Sequence, residues 1–166
     1  TLIKNILTLS GMPEEFETEA VNIREVISIV EEDLEIRISE KKAVIQVDEI
    51  PLVKGNKIFL TQLFSNLIGN AIKFSTRAAV VNITGERKGS SVFIHVADNG
   101  IGTEPTAIAK IFEAFHRLNA SSEYEGSGIG LTICKKIADI HKGHINVEST
   151  IGEGTIFTVE LPAFES

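Results

Sequence analysis

The sequence predicts an α+β fold, a two-layer α/β sandwich in which a mixed sheet carries its helices on one face. Segments with helical spacing of apolar residues alternate with segments of period two, in the order α, β, α, β, β, α, β, β. Runs of strands therefore stand between helices, which indicates a mixed sheet. The 166 residues are enough for one domain with a hydrophobic core.

Helical spacing marks three segments in the first half of the chain. Residues 1–12 indicate the end of a helix, and a polar, acidic connection follows it. A second helix begins after Asn22, a residue type that caps helices, and its apolar face runs from Val26 to Ile38. A third helix runs from the cap Asn56 to about Phe74.

Period-two alternation predicts the strands. Residues 43–50 form one strand that Pro51 interrupts, and residues 78–100 form two strands joined by a Gly/Ser turn. A last helix is expected from about residue 128 to His141, with Gly143 as its C-terminal residue. A hairpin around the glycines of IGEG ends the predicted fold.

Composition restricts the location and the partners of the chain. The net charge of −7 argues against nucleic acid, which would need a basic face. The single Cys134 excludes an internal disulfide and fits a reducing compartment, so we expect a cytoplasmic location. Its place in a predicted helix indicates core packing. No apolar stretch approaches the roughly 20 residues that span a bilayer.

A polar stripe lies on the third helix. Gln62, Asn66, Asn70 and Lys73 are four, four and three residues apart, which places them on one side of the helix. The stripe is either a solvated edge or a ligand site. In a ligand site, an amide oxygen can bind Mg²⁺ and Lys73 can meet a phosphate one turn further on.

Two glycine-containing turns carry the other candidate residues. In VADNGIG, Asp98 either caps a turn or accepts a hydrogen bond from an exocyclic amine such as adenine N6, while Gly100 and Gly102 admit a flat ring. In GSGIGLTIC, glycines precede a helix and form either a phosphate cradle or a hinge. Their spacing matches neither the dinucleotide fingerprint nor a Walker loop.

Five motifs in a fixed order carry a family resemblance. The segments QLFSNLIGNAIKFS, DNGIG, IFEAFHRLN, GSGIGLTICKKIADIHKGHI and GEGTIFTVELP resemble the ATP-binding catalytic domain of sensor histidine kinases. That family belongs to the group that includes DNA gyrase, the Hsp90 chaperones and MutL. The resemblance covers about residues 20–162. It implies a Bergerat-type fold with ATP and Mg²⁺ as cofactors, a catalytic domain over residues 13–166, and a dimerisation-helix tail over residues 1–12.

The resemblance also implies residue roles. Asn66, Asn70 and Lys73 would be catalytic, with Asn70 as the Mg²⁺ ligand and Lys73 as a phosphate contact. Asp98 would bind adenine N6. Gly100 and Gly102 would shape the pocket, and the Thr155 hydroxyl would close it. Phe112 and Phe115 would form the phenylalanine box of a lid, with Arg117 as the lid cation. The glycine cradle for the phosphates would be Gly126, Gly128 and Gly130.

The resemblance implies transfer of the ATP γ-phosphate to a histidine, followed by relay to a response-regulator aspartate. None of the four histidines has an acidic residue after it on a helix, the context of the family's phosphoacceptor, so the acceptor would lie on a separate dimerisation domain of a homodimer. One alternative is an autonomous ATPase, which Asn66 disfavours because an amide cannot act as the base that hydrolytic relatives supply with Glu. The other alternative is a non-catalytic nucleotide-binding module.

Overall fold

The structure is a computed structural model that describes residues 13, 15–104 and 130–165. The longest helix, of 17 residues, lies in the middle of the chain, and helices of 11 residues lie on either side of it. In chain order the elements are β1 (Glu19–Val21), α1 (Ile23–Asp33), α2 (Glu35–Glu40), β2 (Val44–Val47), β3 (Val53–Gly55), α3 (Lys57–Lys73), β4 (Val80–Lys88), β5 (Ser91–Asp98), α4 (Gly130–Ile140), β6 (His144–Thr150) and β7 (Gly154–Pro162).

The main sheet has five strands in the order β2-β4-β5-β7-β6. Strand β2 is parallel to β4, and the other neighbours are antiparallel, so the predicted mixed sheet is confirmed. A second, two-stranded sheet pairs β1 with β3. The sequence predicts neither of these strands, because three residues are too few for alternation to be recognised.

One face of the main sheet is covered by helices. Alternate apolar residues of β4, β5 and β7 are buried, α1 packs against α3, and α3 packs against α4. The opposite face carries half-buried and exposed residues such as Phe93, His95 and Thr158. This arrangement confirms the two-layer α+β prediction. Among the described residues, no helix is long and apolar enough to span a bilayer.

Both predicted asparagine caps are present. The Asn22 side-chain oxygen accepts a hydrogen bond from the Arg24 amide at 3.0 Å, and the Asn56 oxygen accepts one from the Phe59 amide at 3.1 Å. The helix predicted to continue to Ile38 is instead divided at Leu34, which separates α1 from α2. Three acidic residues, at 31–33, occupy the last turn of α1, where the helix dipole disfavours negative charge.

The end of α4 differs from the prediction at Gly143. The left-handed residue is Lys142, with a φ of 61°. The Lys142 amide donates to the Asp139 carbonyl oxygen at 2.9 Å, and the Gly143 amide donates to that of Ala138 at 2.8 Å, which together form a Schellman motif. Glycine is needed at 143 for another reason, because a Cβ there would overlap the Glu160 carbonyl oxygen of β7.

Cys134 is a core residue, as predicted. Its side chain is fully buried on α4, and its thiol lies 3.5 Å from the Leu63 carbonyl oxygen of α3. Burial raises the pKa of the Cys134 thiol to about 12, so the thiol stays protonated at neutral pH. It therefore contributes packing between the two helices.

His141 connects the end of α4 to the start of α3. Its Nδ1 donates to the Ile137 carbonyl oxygen at 2.8 Å, and its Nε2 accepts a hydrogen bond from the Asn56 amide at 3.1 Å. The Phe16 ring packs on it at a centroid distance of 4.8 Å. Desolvation by burial lowers the pKa of His141, and the two hydrogen bonds together require the neutral ring.

We expect this buried ring to make the fold less stable in mild acid. The unfolded chain takes up a proton at His141 near pH 6.5, before the folded chain does, so the free energy of unfolding falls as the pH drops below about 6.5. Urea unfolding at pH 7.5 and 5.5 measures this change. His141→Leu should lower the free energy of unfolding by about 1–3 kcal/mol at pH 7.5. Between pH 7.5 and 5.5 its free energy of unfolding should fall less than that of the wild type. Exposed His144→Leu is the control, and equal losses for His141→Leu and the wild type would contradict the assignment.

Candidate functional site

Three polar side chains replace the apolar core at one end of the main sheet. Asp98 ends β5, Thr155 begins β7, and Ser149 lies near the end of β6. Each continues the inward-facing alternation of its own strand, and Ser149 pairs directly with Thr155. The next inward row, Val96 with Phe157, is apolar. A polar row therefore borders the core at the end of these strands.

The Asp98 carboxylate has one occupied oxygen. Its Oδ1 accepts hydrogen bonds from the Gly100 amide at 2.8 Å and the Thr155 amide at 3.2 Å. The turn interpretation is thus confirmed for Oδ1, while Oδ2 has no hydrogen-bond partner within the described ranges. Desolvation by burial raises the pKa of Asp98, and the two backbone hydrogen bonds oppose that shift. Oδ2 can therefore accept a hydrogen bond from a ligand.

A cavity opens beside Asp98, between the end of α3 and the sheet. Its lining combines apolar and aromatic surfaces with a few hydrogen-bonding groups, which is the composition of a ligand site. The described residues that line it are Asn70, Phe74, Asp98, Ile101, Gly102, Thr103, Thr155 and Phe157.

Two glycines allow backbone segments to close around this cavity. Gly102 has a φ of 77°, and a Cβ there would overlap the Thr150 carbonyl oxygen. Gly154 has a φ of 121°, and a Cβ there would overlap the carbonyl oxygen of Asp98. Gly100 is also closely packed, since a Cβ there would lie 2.9 Å from the side-chain oxygen Asp98 Oδ1. Side chains at these positions would push the cavity walls apart.

The two asparagines of α3 have different surroundings. Asn70 lines the cavity, and no described residue hydrogen-bonds its side chain. Asn66 is not among the described lining residues, and its amide is engaged at both ends. Its oxygen accepts from Gln62 Nε2 and its Nδ2 donates to the Gly130 carbonyl oxygen, both at 3.3 Å. Asn66 thus joins α3 to the first residue of α4.

The α3 stripe can supply a cation and a metal ligand. Lys73 Nζ lies 5.5 Å from the centroid of the Phe74 ring, and Phe74 lines the cavity. Among the described residues, no group of three or more His, Cys, Asp or Glu side chains forms a protein metal cage. One amide oxygen such as that of Asn70 fits Mg²⁺, which keeps several waters and completes its shell with phosphate oxygens.

The structure brings most described predicted site residues together. Asn70, Asp98, Gly102 and Thr155 line one cavity, Gly100 packs against the Asp98 carboxylate, and Gly130 begins α4. Asn66 contacts Gly130 rather than the described cavity wall. The predicted residues Phe112, Phe115, Arg117, Gly126 and Gly128 lie outside the described residues.

The sequence interpretation missed several residues around the cavity. Phe74, Ile101 and Phe157 form its apolar walls, and Thr103 and Ser149 add a hydrogen bond beside it. Ser149 carries a signal that could have been used, because it is polar at a position in phase with the inward-facing Ile145 and Val147. The apolar wall residues are indistinguishable by sequence from ordinary core residues.

Comparisons with known proteins agree with this geometry. Residues 55–165 match the family described as "Histidine kinase-, DNA gyrase B-, and HSP90-like ATPase". Phytochrome-like protein Cph1 of Synechocystis sp. is 39% identical over 164 residues, which cover 98% of the chain but only 22% of Cph1. The chain thus spans about a fifth of this curated relative.

Two solved structures extend the similarity to the fold. Full-length ShkA in complex with AMPPNP has a TM-score of 0.84 and 30% identity, over 99% of the chain and 36% of ShkA. Histidine kinase ThkA, solved in complex with the response regulator protein TrrA, has a TM-score of 0.78 and 26% identity, over 98% of the chain and 46% of ThkA.

We expect Asp98→Asn to leave the empty protein at least as stable as the wild type at neutral pH. The raised pKa means that the folded state binds a proton at Asp98 more tightly than the unfolded state. This contribution to stability is lost as the pH rises through the folded pKa, and Asn avoids that loss while keeping an oxygen for the two amides. Urea unfolding of both proteins at pH 4.5 and 7 measures this effect. The free energy of unfolding of the variant should rise relative to that of the wild type as the pH rises. Exposed Asp48→Asn is the control, and a variant markedly less stable at pH 7 would contradict the expectation.

Proposed function

The chain belongs to the family of histidine kinase-, DNA gyrase B- and HSP90-like ATPases, and from this membership we propose that it is the ATP-binding catalytic domain of a two-component sensor histidine kinase. The observation that carries the proposal is the Asp98 carboxylate, which keeps Oδ2 for a ligand at the wall of a partly apolar cavity. ShkA, with 30% identity to the chain, was solved with AMPPNP, an ATP analogue, which supports ATP as the ligand.

Adenine matches the chemistry of the cavity lining through its amino group and its flat faces. The N6 amine donates a hydrogen bond to Asp98 Oδ2, because an ionised carboxylate only accepts. The side chains of Phe74, Ile101 and Phe157 offer apolar contact to the ring. Guanine is disfavoured, since it carries a carbonyl oxygen where adenine carries the amine. Its unpaired acceptor would cost about 1–3 kcal/mol.

The phosphates extend from the cavity along α3 toward the start of α4. Asn66 lies one turn before Asn70, about 6 Å along the helix axis, and contacts Gly130 at the α4 N-terminus. A helix N-terminus favours anions, and Lys73 adds a cation near the cavity. Asn70 would hold Mg²⁺, which neutralises phosphate charge when bound. The chain's own residues position the nucleotide and expose its γ-phosphate.

The γ-phosphate passes to a histidine of a dimerisation domain. The imidazole nitrogen forms a bond to phosphorus as the bond to the ADP oxygen breaks, and ADP leaves. Within the chain, His141 is committed to the Ile137 and Asn56 backbone, and His95 Nδ1 lies 2.9 Å from the Thr158 hydroxyl. The Asn66 amide cannot act as a base and already bonds Gln62 and Gly130, which favours phosphotransfer over hydrolysis.

The phosphorylated histidine would serve a response regulator. ThkA, solved in complex with the response regulator protein TrrA, supports this partner class. A dimerisation domain and a homodimeric full-length protein complete the proposal. The chain spans only 22% of Cph1, so both belong to the proposal for the whole protein.

We expect calorimetric titration to detect ATP binding that tightens with Mg²⁺ and exceeds GTP binding. Asp98→Asn should raise the dissociation constant for ATP roughly tenfold to a hundredfold, because the amide donates where the carboxylate accepted. The ratio of the GTP and ATP dissociation constants should fall. Asn70→Ala should reduce the increase in ATP affinity that Mg²⁺ causes. Its effect on ATP affinity without Mg²⁺ should be smaller. Asn146→Ala, which alters an exposed amide on β6, is the matched control. Unchanged ATP affinity in folded Asp98→Asn would remove Asp98 from the site.

We expect the chain alone neither to label itself with γ-labelled ATP nor to release phosphate rapidly. Addition of the dimerisation domain of the same protein should give a labelled histidine, because that domain supplies the acceptor nitrogen. The label should be labile in acid and stable in alkali, as phosphate on imidazole is. Acid-stable label on Ser or Thr would contradict histidine transfer, and rapid phosphate release by the chain alone would support an autonomous ATPase.

A further inference from the structure

The Ser149 hydroxyl lies at the junction of three segments beside the cavity. It accepts a hydrogen bond from the Thr103 amide at 2.8 Å. It lies 2.8 Å from the Thr155 hydroxyl and 3.0 Å from the Gly154 carbonyl oxygen. Ser149 is half-buried on β6 and directly opposite Thr155 on β7. The hydroxyl therefore connects the chain after β5 to both strands of the hairpin.

Counting protons assigns a direction to each of these hydrogen bonds. The Gly154 carbonyl has no proton, so Ser149 must donate its single hydrogen there. The Thr103 amide donates to one lone pair of Ser149. The contact with Thr155 is then a hydrogen bond only if Thr155 donates. This is the one arrangement that satisfies all three contacts, and it turns the Thr155 proton toward Ser149.

With its proton committed, Thr155 can only accept a hydrogen bond from a ligand. Asp98, another residue of the cavity lining, keeps one carboxylate oxygen, Oδ2, which in the ionised form can only accept. Two acceptors on one wall match an amino group, which has two N–H donors. They oppose a carbonyl oxygen, which has none.

We propose that Ser149 is a specificity-determining residue that positions the Thr155 hydroxyl as an acceptor, so that the cavity selects purines with an amino group at C6 over purines with a carbonyl there. The inference rests on the proposed nucleotide site and goes beyond it, because Ser149 is not among the described residues that line the cavity. Without the Ser149 oxygen the Thr155 hydroxyl can rotate and donate, so it can satisfy a carbonyl oxygen as well.

The test is titration of the whole chain with ATP and with ITP, which carries a carbonyl at C6. For the wild type we expect a clear preference for ATP. Ser149→Ala should narrow the ratio of the two dissociation constants about fivefold, mainly through better ITP binding. Ser149→Thr keeps the hydroxyl and should restore the wild-type ratio. Thr150→Ala, the outward-facing neighbour on β6, should leave the ratio unchanged.

A Thr155→Val background separates the positioning of the Thr155 hydroxyl from any general effect of Ser149→Ala on the cavity. Thr155→Val removes the hydroxyl that Ser149 positions, so Ser149→Ala or Ser149→Thr in that background should not change the ratio further. The inference is overturned if Ser149→Ala weakens ATP and ITP equally, if it leaves the ratio unchanged, or if the Thr155→Val background still responds. In each of these cases ATP binding by the wild type stands, whereas loss of ATP binding by the wild type would overturn the nucleotide site itself.

Discussion

The shared oxygen of Asp98 holds the candidate site together. Two backbone amides from different segments, Gly100 after β5 and Thr155 at the start of β7, donate to Oδ1. A partly buried carboxylate is costly, and these hydrogen bonds make it tolerable. Since one oxygen accepts both amides, the other oxygen keeps its lone pairs for a further donor, and Asp98 lines the cavity. The turn after β5 and the start of β7 thus both depend on the same carboxylate.

The α3 helix places one amide side chain at the cavity and uses another as a structural support. Asn70 lines the cavity, whereas Asn66 bonds Gln62 and the Gly130 carbonyl oxygen. At the other end of the same helix, His141 accepts the Asn56 amide and so ties α4 to α3 a second time. The orientation of the α4 N-terminus relative to Asn70 is therefore set at both ends of the helix pair.

Much of the fold was predictable because its signals are local. The caps Asn22 and Asn56 and the hairpin around residues 151–154 depend on neighbours in sequence, and they appear where expected. Strands β1 and β3 were not predictable, because each has three residues and is defined by tertiary pairing, β1 with β3 and Val53 of β3 also with Ala163. The identity of the left-handed residue at the end of α4 also depended on tertiary packing, since Gly143 is fixed by Glu160.

In the candidate site, some residues were predictable from local sequence patterns and others only from tertiary pairing. Asp98 and Asn70 could be found from motif and spacing, and both line the cavity. Ser149 could not be given a role from sequence alone, because its meaning depends on the register that places it opposite Thr155. The bond from Asn66 to Gly130 depends on how α3 and α4 pack, which spacing along one helix does not reveal. Local patterns thus located cavity-lining groups, and tertiary pairing located their supports.

The pairing of β5 with β7 has a consequence for how the chain can vary in length. These two central strands are joined by seven ladder pairs, although α4 and the long segment before it lie between them in sequence. In general, the closure entropy of a chain segment that connects two paired strands grows slowly with its length, by about 0.6 kcal/mol for each doubling. By this principle, a change in the number of residues between Glu104 and Gly130 adds little closure entropy to the pairing of β5 with β7. The sheet, the Asp98 turn and the contact between Asn66 and Gly130 are all made by residues outside that interval.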